Sequence, residues 1–546
     1  SVFFSPHAPD RLYAASKRLH MTTDEGQSWD VISPDLTRAD PETIRSSGGP
    51  ITQDNTGVEY YATIFAVTES PYEEGVIWAG SDDGLLHVTR DGGKTWQEVT
   101  PPMSPAHNMM NCIDVHPFVR GGAYVAATSY KFGDYTPYLY KTTDYGKTWQ
   151  LITNGIDPVH YTRAIRADPE REGLLYAGTE WGMYVSFDDG AHWQPFQLNL
   201  PIVSIRDLHL RDYSLIAATH GRSFWMIDDL RPLHQLNRDI TERAFYLYQP
   251  KPAYRMAQGG RGSRDARLEG ANHPDGVLFH YFVKGEVDSS EVALEILEAD
   301  GSLIRRFSNR AGKKEQKLTV KKGGNRFVWD MRYPGFVEFP GMVLYSSSNR
   351  GPQAVPGTYR ARLTVDGATV EQEFEIIPDP RLANTAQDYR DQFDFLIDVR
   401  DKVSEAHRAM LDIRQVREDI HYLKEKFGED DDYRTLVREA EALEEEMRLI
   451  ENKIHETRNE SRQDPLNFGI KVNNRLAFLL ADQQRGDFPP TDQARAVFSE
   501  LRDELDGYLD ELEQLFGRQL RQINQLAAEK KLPVIQRPAA QPDVGR

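Results

Sequence analysis

Thr142-Thr143-Asp144-Tyr145-Gly146-Lys147-Thr148-Trp149 decides the fold. The phrase returns as Thr22-Thr23-Asp24-Glu25-Gly26-Gln27-Ser28-Trp29, as Thr89-Arg90-Asp91-Gly92-Gly93-Lys94-Thr95-Trp96, and as Ser186-Phe187-Asp188-Asp189-Gly190-Ala191-His192-Trp193. The shared pattern is Ser/Thr-x-Asp-x-Gly-x-x-Trp. A repeat spaced by about 40–50 residues marks a propeller or an array. A short hydroxyl and a carboxylate bond nearby backbone N–H groups and close a tight hairpin. The Gly supplies the positive φ that such a turn needs. The Trp is expected to cover the turn and bury apolar surface against a neighbour. Nothing in this chemistry requires a substrate. Asp24, Asp91, Asp144 and Asp188 therefore read as structural, as do Trp29, Trp96, Trp149 and Trp193.

Each copy closes a fixed phrase. A first strand comes early, as in Ile64-Phe65-Ala66-Val67 and Cys112-Ile113-Asp114-Val115. A second ends in small residues, as in Ile77-Trp78-Ala79-Gly80 and Tyr124-Val125-Ala126-Ala127. A third leads into the turn, and a fourth follows its Trp. Four short strands per repeat predict a propeller blade. A fifth copy, Leu215 to Asp229, keeps the strands and loses the turn. Residues 1–238 are thus expected to form a partial propeller of five blades. Closed propellers run to about eight blades. The chain opens on Ser1 inside a repeat, so an upstream propeller half or a partner chain is expected to supply the rest.

Residues 243–380 predict a β-sandwich of immunoglobulin or fibronectin type, with Val277–Val283, Val292–Leu297 and Asn325–Asp330 as strands between Gly and Asp turns. Stretches 256–275 and 334–355 read as mobile loops or interface segments. From Thr385 the apolar period becomes helical, through Tyr389, Phe393, Leu396, Val399 and Val403. Residues 385–530 predict a helical bundle opened by a capping box at Thr385 and Asp388, and 531–546 a flexible tail. The fold class is multidomain and mainly β: propeller blades, then a sandwich, then an α-helical bundle.

Composition narrows the function. A net charge of −19 argues against a nucleic-acid partner. A single cysteine, Cys112, excludes a disulfide within the chain, and it reads as a buried strand residue. No apolar run is long enough for a transmembrane segment. No motif for a cofactor or a metal is found.

Function is sought on the loop face opposite the Asp-containing turns, where a rigid scaffold presents loops. Two carboxyls flanking a scissile bond are the minimum for glycoside hydrolysis. The catalytic candidates are Asp54, Glu59, Asp82, Asp83 and Glu180, with Asp134 beside them. The ligand-binding candidates are His160, Arg163, Trp181, His220 and Arg222. Asp54 and Glu59 lie in an insertion at 36–60, and long loops are often functional.

The octapeptide matches the Asp-box, or BNR repeat, of sialidases, sortilin-type receptors and two-propeller xyloglucanases. Wider phrases carry the likeness further: Ser46-Ser47-Gly48-Gly49-Pro50, Ala79-Gly80-Ser81-Asp82-Asp83-Gly84 and Ala218-Thr219-His220-Gly221-Arg222-Ser223-Phe224-Trp225. The chain resembles the C-terminal half of large secreted bacterial proteins of the sortilin-like Asp-box type, often labelled glycosyl hydrolases. The resemblance implies a secreted, periplasmic or cell-surface protein that binds a protein or glycan ligand through the loop face. Two alternatives stand beside it. One is a sialidase- or xyloglucanase-like glycoside hydrolase. The other is an accessory subunit of a cell-envelope complex, docking through its helical domain.

Overall fold

The computed structural model describes residues 2–48, 53–54, 60–256, 270, 272–287 and 289–537. The chain divides into two compact units, Ser1–Gln235 and Leu236–Arg546.

The first unit is built from small antiparallel meanders. Four have four strands each, taken in chain order. They comprise Val2–Phe4, Leu12–Ala15, Leu19–Thr22 and Asp30–Val31; Ile64–Glu69, Ile77–Ser81, Leu86–Thr89 and Gln97–Glu98; Met109–Val115, Ala123–Thr128, Tyr138–Thr142 and Gln150–Leu151; and Thr162–Ala167, Leu175–Thr179, Gly182–Ser186 and Gln194–Pro195. The fifth has only Ile205–Arg211, Ser214–Thr219 and Phe224–Ile227, one strand fewer than the sequence suggests. Without the Asp turn the chain does not double back. It runs instead into a short helix, Arg231–Gln235, pinned where His234 Nε2 lies 2.8 Å from the Asp168 carboxylate.

Apolar cores lie between consecutive sheets. Tyr13 and Leu19 meet Ile64 and Ile77. Trp78 and Val88 meet Met110 and Tyr140. Cys112 and Tyr124 meet Ile165 and Leu175. Ala164 and Tyr176 meet Ile205 and Leu208. The small residues of the second strands let the sheets approach this closely. These are propeller-like blades.

The octapeptide turns carry the hydrogen bonds their chemistry demands. Thr142 Oγ1 donates to Asp144 Oδ1 at 2.9 Å and accepts from Gly146 N at 3.0 Å. Asp144 in turn accepts from the Thr148 amide at 2.9 Å and its hydroxyl at 2.7 Å. The turns around Asp24 and Asp91 repeat this set, and that around Asp188 does so with the His192 ring Nδ1, 2.7 Å away, in place of the hydroxyl. In the first, the bonds from Ser28 hold the Asp24 carboxyl down at about 2. Gly146 has φ +78, and a Cβ there would stand 2.6 Å from Val99 Cβ, so the turn requires glycine twice over.

The Trp contacts run from blade to blade. Trp96 Nε1 donates to Ile32 O at 2.9 Å, Trp149 to Val99 O at 2.8 Å, and Trp193 to Ile152 O at 2.7 Å. Each acceptor follows the fourth strand of the preceding blade. Trp29 departs from the expected burial. It is 42% exposed and donates to Gly26 O in its own turn, because no described blade precedes it.

In the second unit, strands Phe245–Leu247, Val277–Val283 and Gly323–Trp329 form one sheet. Ala253–Arg255, Val292–Leu297, Leu303–Ser308, Gly357–Val365 and Ala368–Pro378 form another. Both contribute to one core, in which Phe279 and Trp329 of the first meet Tyr359 and Phe374 of the second. The C-terminal region is helical: Ala386–Phe427, Arg434–Ile454, Val472–Asp482 and Asp492–Leu515, the last continued through a π-turn into Arg521–Glu529. Thr385 and Asp388 form the capping box reciprocally. The 334–355 segment is an interface. Phe336 and Phe339 are buried in the helical core, and Tyr345 N donates to Asn474 Oδ1 at 2.7 Å. Most of 256–275, and the tail from 538, lie outside the described residues.

Candidate functional site

The turns between second and third strands and the loops between blades come together around a series of rings. Tyr61 OH lies 3.1 Å from His107 Nδ1, and the two rings stack. His107 in turn lies against Phe132, centroids 5.8 Å apart. Tyr130 stacks on Tyr161 at 5.3 Å, and Tyr135 tilts onto the same ring. His160 Nδ1 meets Tyr184 OH at 2.8 Å and packs beside Trp181. The outermost rings are open to solvent: Tyr60 is 64% exposed, Phe132 63%, Tyr135 52% and Trp181 51%.

The supports beneath these rings are polar, and Arg163 is central to them. Arg163 is 5% exposed. Its donors are used by Glu180 Oε2 at 3.0 and 2.9 Å and by Tyr161 OH at 3.2 Å. Its guanidinium also lies over the Tyr130 and Tyr161 rings. Glu180 further accepts from Ser204 Oγ at 2.7 Å. Burial pushes its carboxyl up, but Ser204 and Arg163 together hold it below the usual range.

Asp82 and Asp83 sit in the buried turn after Ile77–Ser81. Asp83 accepts from Ser81 Oγ at 2.5 Å and from Ala39 N at 3.0 Å, which ties the turn to the insertion. Asp82 accepts from Thr63 N at 2.8 Å. Burial raises its proton affinity above that of an ordinary carboxyl. The Thr63 bond opposes this and Asp83 adds to it. Burial, with Asp83 and Asp82 nearby, pushes Tyr61 up to about 12. Gly84 closes the turn at φ +96, and a Cβ there would fall 2.8 Å from Asn108 N and 2.9 Å from His107 N.

The other candidates stand apart or undescribed. Glu59 lies outside the described residues. Of Asp54 only the backbone is described, in a two-residue strand paired with Ser47–Gly48. Asp134 accepts from Tyr138 OH at 2.6 Å. His220 and Arg222 occupy an exposed turn, with His220 Nδ1 2.8 Å from the Arg206 guanidinium.

Sequence reasoning missed a recurrent device. The first strand of four successive blades slips register near its loop-face end, between Ile64 and Ala66, Met110 and Cys112, Thr162 and Ala164, and Ile205 and Asp207. The residues at the slips are Phe65, Asn111, Arg163 and Arg206. A bulge re-aims a side chain. Here Arg163 reaches Glu180, Arg206 reaches His220, and Asn111 reaches Thr162 O of the next blade at 3.3 Å. The only sequence trace is the recurring position, three residues or fewer from the start of each first strand.

No family model matches the chain. Over 201 residues, 35% of its length, it is 23% identical to the oligoxyloglucan-reducing end-specific xyloglucanase of Emericella nidulans, and that stretch is 22% of the enzyme. The chain thus spans under a quarter of the curated relative it matches. Among solved structures, a GH74 xyloglucanase from Xanthomonas campestris is 14% identical, with 67% of this chain and 62% of that one covered and a TM-score of 0.33. PorZ, a surface component of the type-IX secretion system of Porphyromonas gingivalis, is 12% identical, with 69% and 51% covered and a TM-score of 0.32. Scores this low do not map residues of one chain onto another.

Proposed function

We propose that the chain is the Asp-box part of an exported protein that binds a glycan on the loop face of its blades. One observation carries this reading: Tyr60, Phe132, Tyr135 and Trp181 stand half or more exposed, while Arg163, Glu180 and Asp83 of the same loops are tied up in bonds within the blades. Exposed apolar surface rimmed by polar groups marks a binding site. Aromatic faces suit the C–H faces of sugar rings, and the polar edges of such rings suit sugar hydroxyls. The test is calorimetric titration of xyloglucan and cellulose oligosaccharides into the whole chain. Trp181→Ala and Phe132→Ala should each weaken binding about tenfold, with an unchanged melting temperature. Binding that ignores both substitutions refutes the reading.

Asp82 favours a second reading, glycoside hydrolysis. Its buried carboxyl holds its proton more tightly than usual, as a general acid must. Glu180 does not suit that role, because its pairing with Arg163 favours the ionised form. Reducing-end release from xyloglucan, abolished in Asp82→Asn, would support hydrolysis; no release by the unaltered protein argues for binding alone.

In both readings further blades cover the two end faces. Val2 and Phe4 on the first blade, and Phe224 and Met226 on the last, stand exposed. Trp29 turns back onto its own loop where its three counterparts bond the preceding blade.

A further inference from the structure

The second unit holds a cavity of about 940 Å³ whose wall is cationic, in a chain of net charge −19. Its construction begins with two extended segments laid side by side. Tyr333 N donates to Pro352 O at 2.9 Å, Ala354 N to Met331 O at 2.6 Å, and Asn349 Nδ2 to Phe336 O at 3.0 Å. Arg332 on one segment and Arg350 on the other both line the cavity. Strand Leu303–Ser308 adds Arg305, and the turn beyond it adds Lys313.

These cations are incompletely neutralised. Arg332 spends NH1 on two neutral acceptors, Gly351 O at 2.8 Å and Gln484 Oε1 at 2.7 Å. Burial, with Arg350 and Arg255 nearby, lowers its pKa to about 10 against the opposing pull of Asp330 and Asp487. A guanidinium rarely departs from its high value, so the local balance is positive. Asp330 stands 3.7 Å from Arg305, and Glu315 meets Arg305 only through its backbone carbonyl, at 3.1 Å. Glu338 also lines the cavity. Buried charge seeks a counter-charge. An oxyanion supplies it, and the planar fork of arginine suits an oxyanion.

We infer that this cavity is a binding site for an anionic saccharide, whose carboxylate or sulfate group is held by Arg332 and Arg350. The volume is far larger than a bare inorganic anion needs and falls in the range of ordinary small-molecule sites. Gln316, whose side-chain amide can meet a sugar hydroxyl, also lines it. The inference is independent of the loop-face reading, since the site lies wholly within Leu236–Arg546.

The test is calorimetric titration of the full chain with trigalacturonate, with a sulfated disaccharide, with neutral maltotriose and with inorganic sulfate. At least one charged saccharide should bind, maltotriose should not, and affinity should fall as salt rises from about 50 mM to about 500 mM. The carboxylated and sulfated arms identify the oxyanion. Arg350→Gln should weaken binding about tenfold, the loss of one charge-assisted bond, and Arg350→Lys should restore part of it. Arg350 is exposed, so its substitution leaves folding intact even if Arg332→Gln does not fold. Maltotriose or bare sulfate binding as tightly as the charged saccharides overturns the inference. So does an Arg350→Gln protein with unchanged affinity, or the absence of binding by either charged saccharide.

Discussion

Arg163 reaches Glu180 through two nitrogens, at 3.0 and 2.9 Å, and the pair spans the bulged first strand of the fourth blade and the turn after its second. The arginine is almost fully buried, while the carboxylate keeps a partly open edge. The pair is therefore a support beneath the aromatic face.

Glu180→Gln should accordingly cost stability. It preserves shape but leaves a buried guanidinium without its counter-charge. Such losses run to 3–5 kcal/mol in fully buried pairs, and the open edge of Glu180 reduces this to roughly 2 kcal/mol. Chemical denaturation of the two proteins at neutral pH checks it. An unchanged midpoint would mean that the Tyr130 and Tyr161 rings stabilise Arg163 unaided.

Asp144→Ala removes the acceptor of the Thr142 hydroxyl, the Thr148 amide and the Thr148 hydroxyl at once. The turn is solvent-accessible, so water replaces part of this, and the expected loss is about 2 kcal/mol. Trp149 should then fluoresce at longer wavelength as it leaves Val99 O. Thermal melts with tryptophan emission separate the local effect from the global one.

The blades were legible because their signals are local. Each Asp turn closes within eight residues, so Thr142, Asp144, Gly146 and Trp149 already contain the geometry. The bulges at Phe65, Asn111, Arg163 and Arg206 were not legible, since a register slip is a property of two paired strands and no residue type demands it. The exposure of Trp29 depends on what lies against the first blade, which its own turn does not encode. Glu180 and Asp82 look alike in sequence. The bonds from Ser204 and Arg163 to Glu180, and the burial around Asp82, set their proton affinities apart.

Gly84→Ala should disrupt the loop face from beneath. The added methyl meets the backbone of His107 and Asn108 below 3 Å, in a left-handed conformation that alanine disfavours. Strain and overpacking together should cost about 2–3 kcal/mol. His107 would have to shift, and its bond to Tyr61 would break. Oligosaccharide affinity should therefore fall with stability here, whereas Trp181→Ala should lower affinity alone.

The helical region should loosen in acid, and the cause is one amide. Asn473 Nδ2 points at both His407 Nε2 and His455 Nδ1, each at 3.2 Å, so both ring nitrogens must act as acceptors. His407 Nδ1 is committed to Val337 O at 2.5 Å. Protonating either acceptor sets N–H against N–H in a core closed by Phe336 and Phe339. Burial lowers both histidines to about 4; the Val337 carbonyl opposes this at His407, and Arg414 reinforces it at His455. A histidine held neutral in the fold but free to charge when unfolded stabilises the fold fully above its unfolded value near 6.5. That stability is lost as pH falls from about 6.5 towards 4, by roughly 3 kcal/mol for each ring. Denaturation midpoints should therefore be flat between pH 7 and 8 in this respect and drop steeply below about 6. His455→Gln should lessen the slope between about pH 6 and 4, where carboxylates that titrate lower contribute little. An identical slope in that variant would place the acid sensitivity elsewhere.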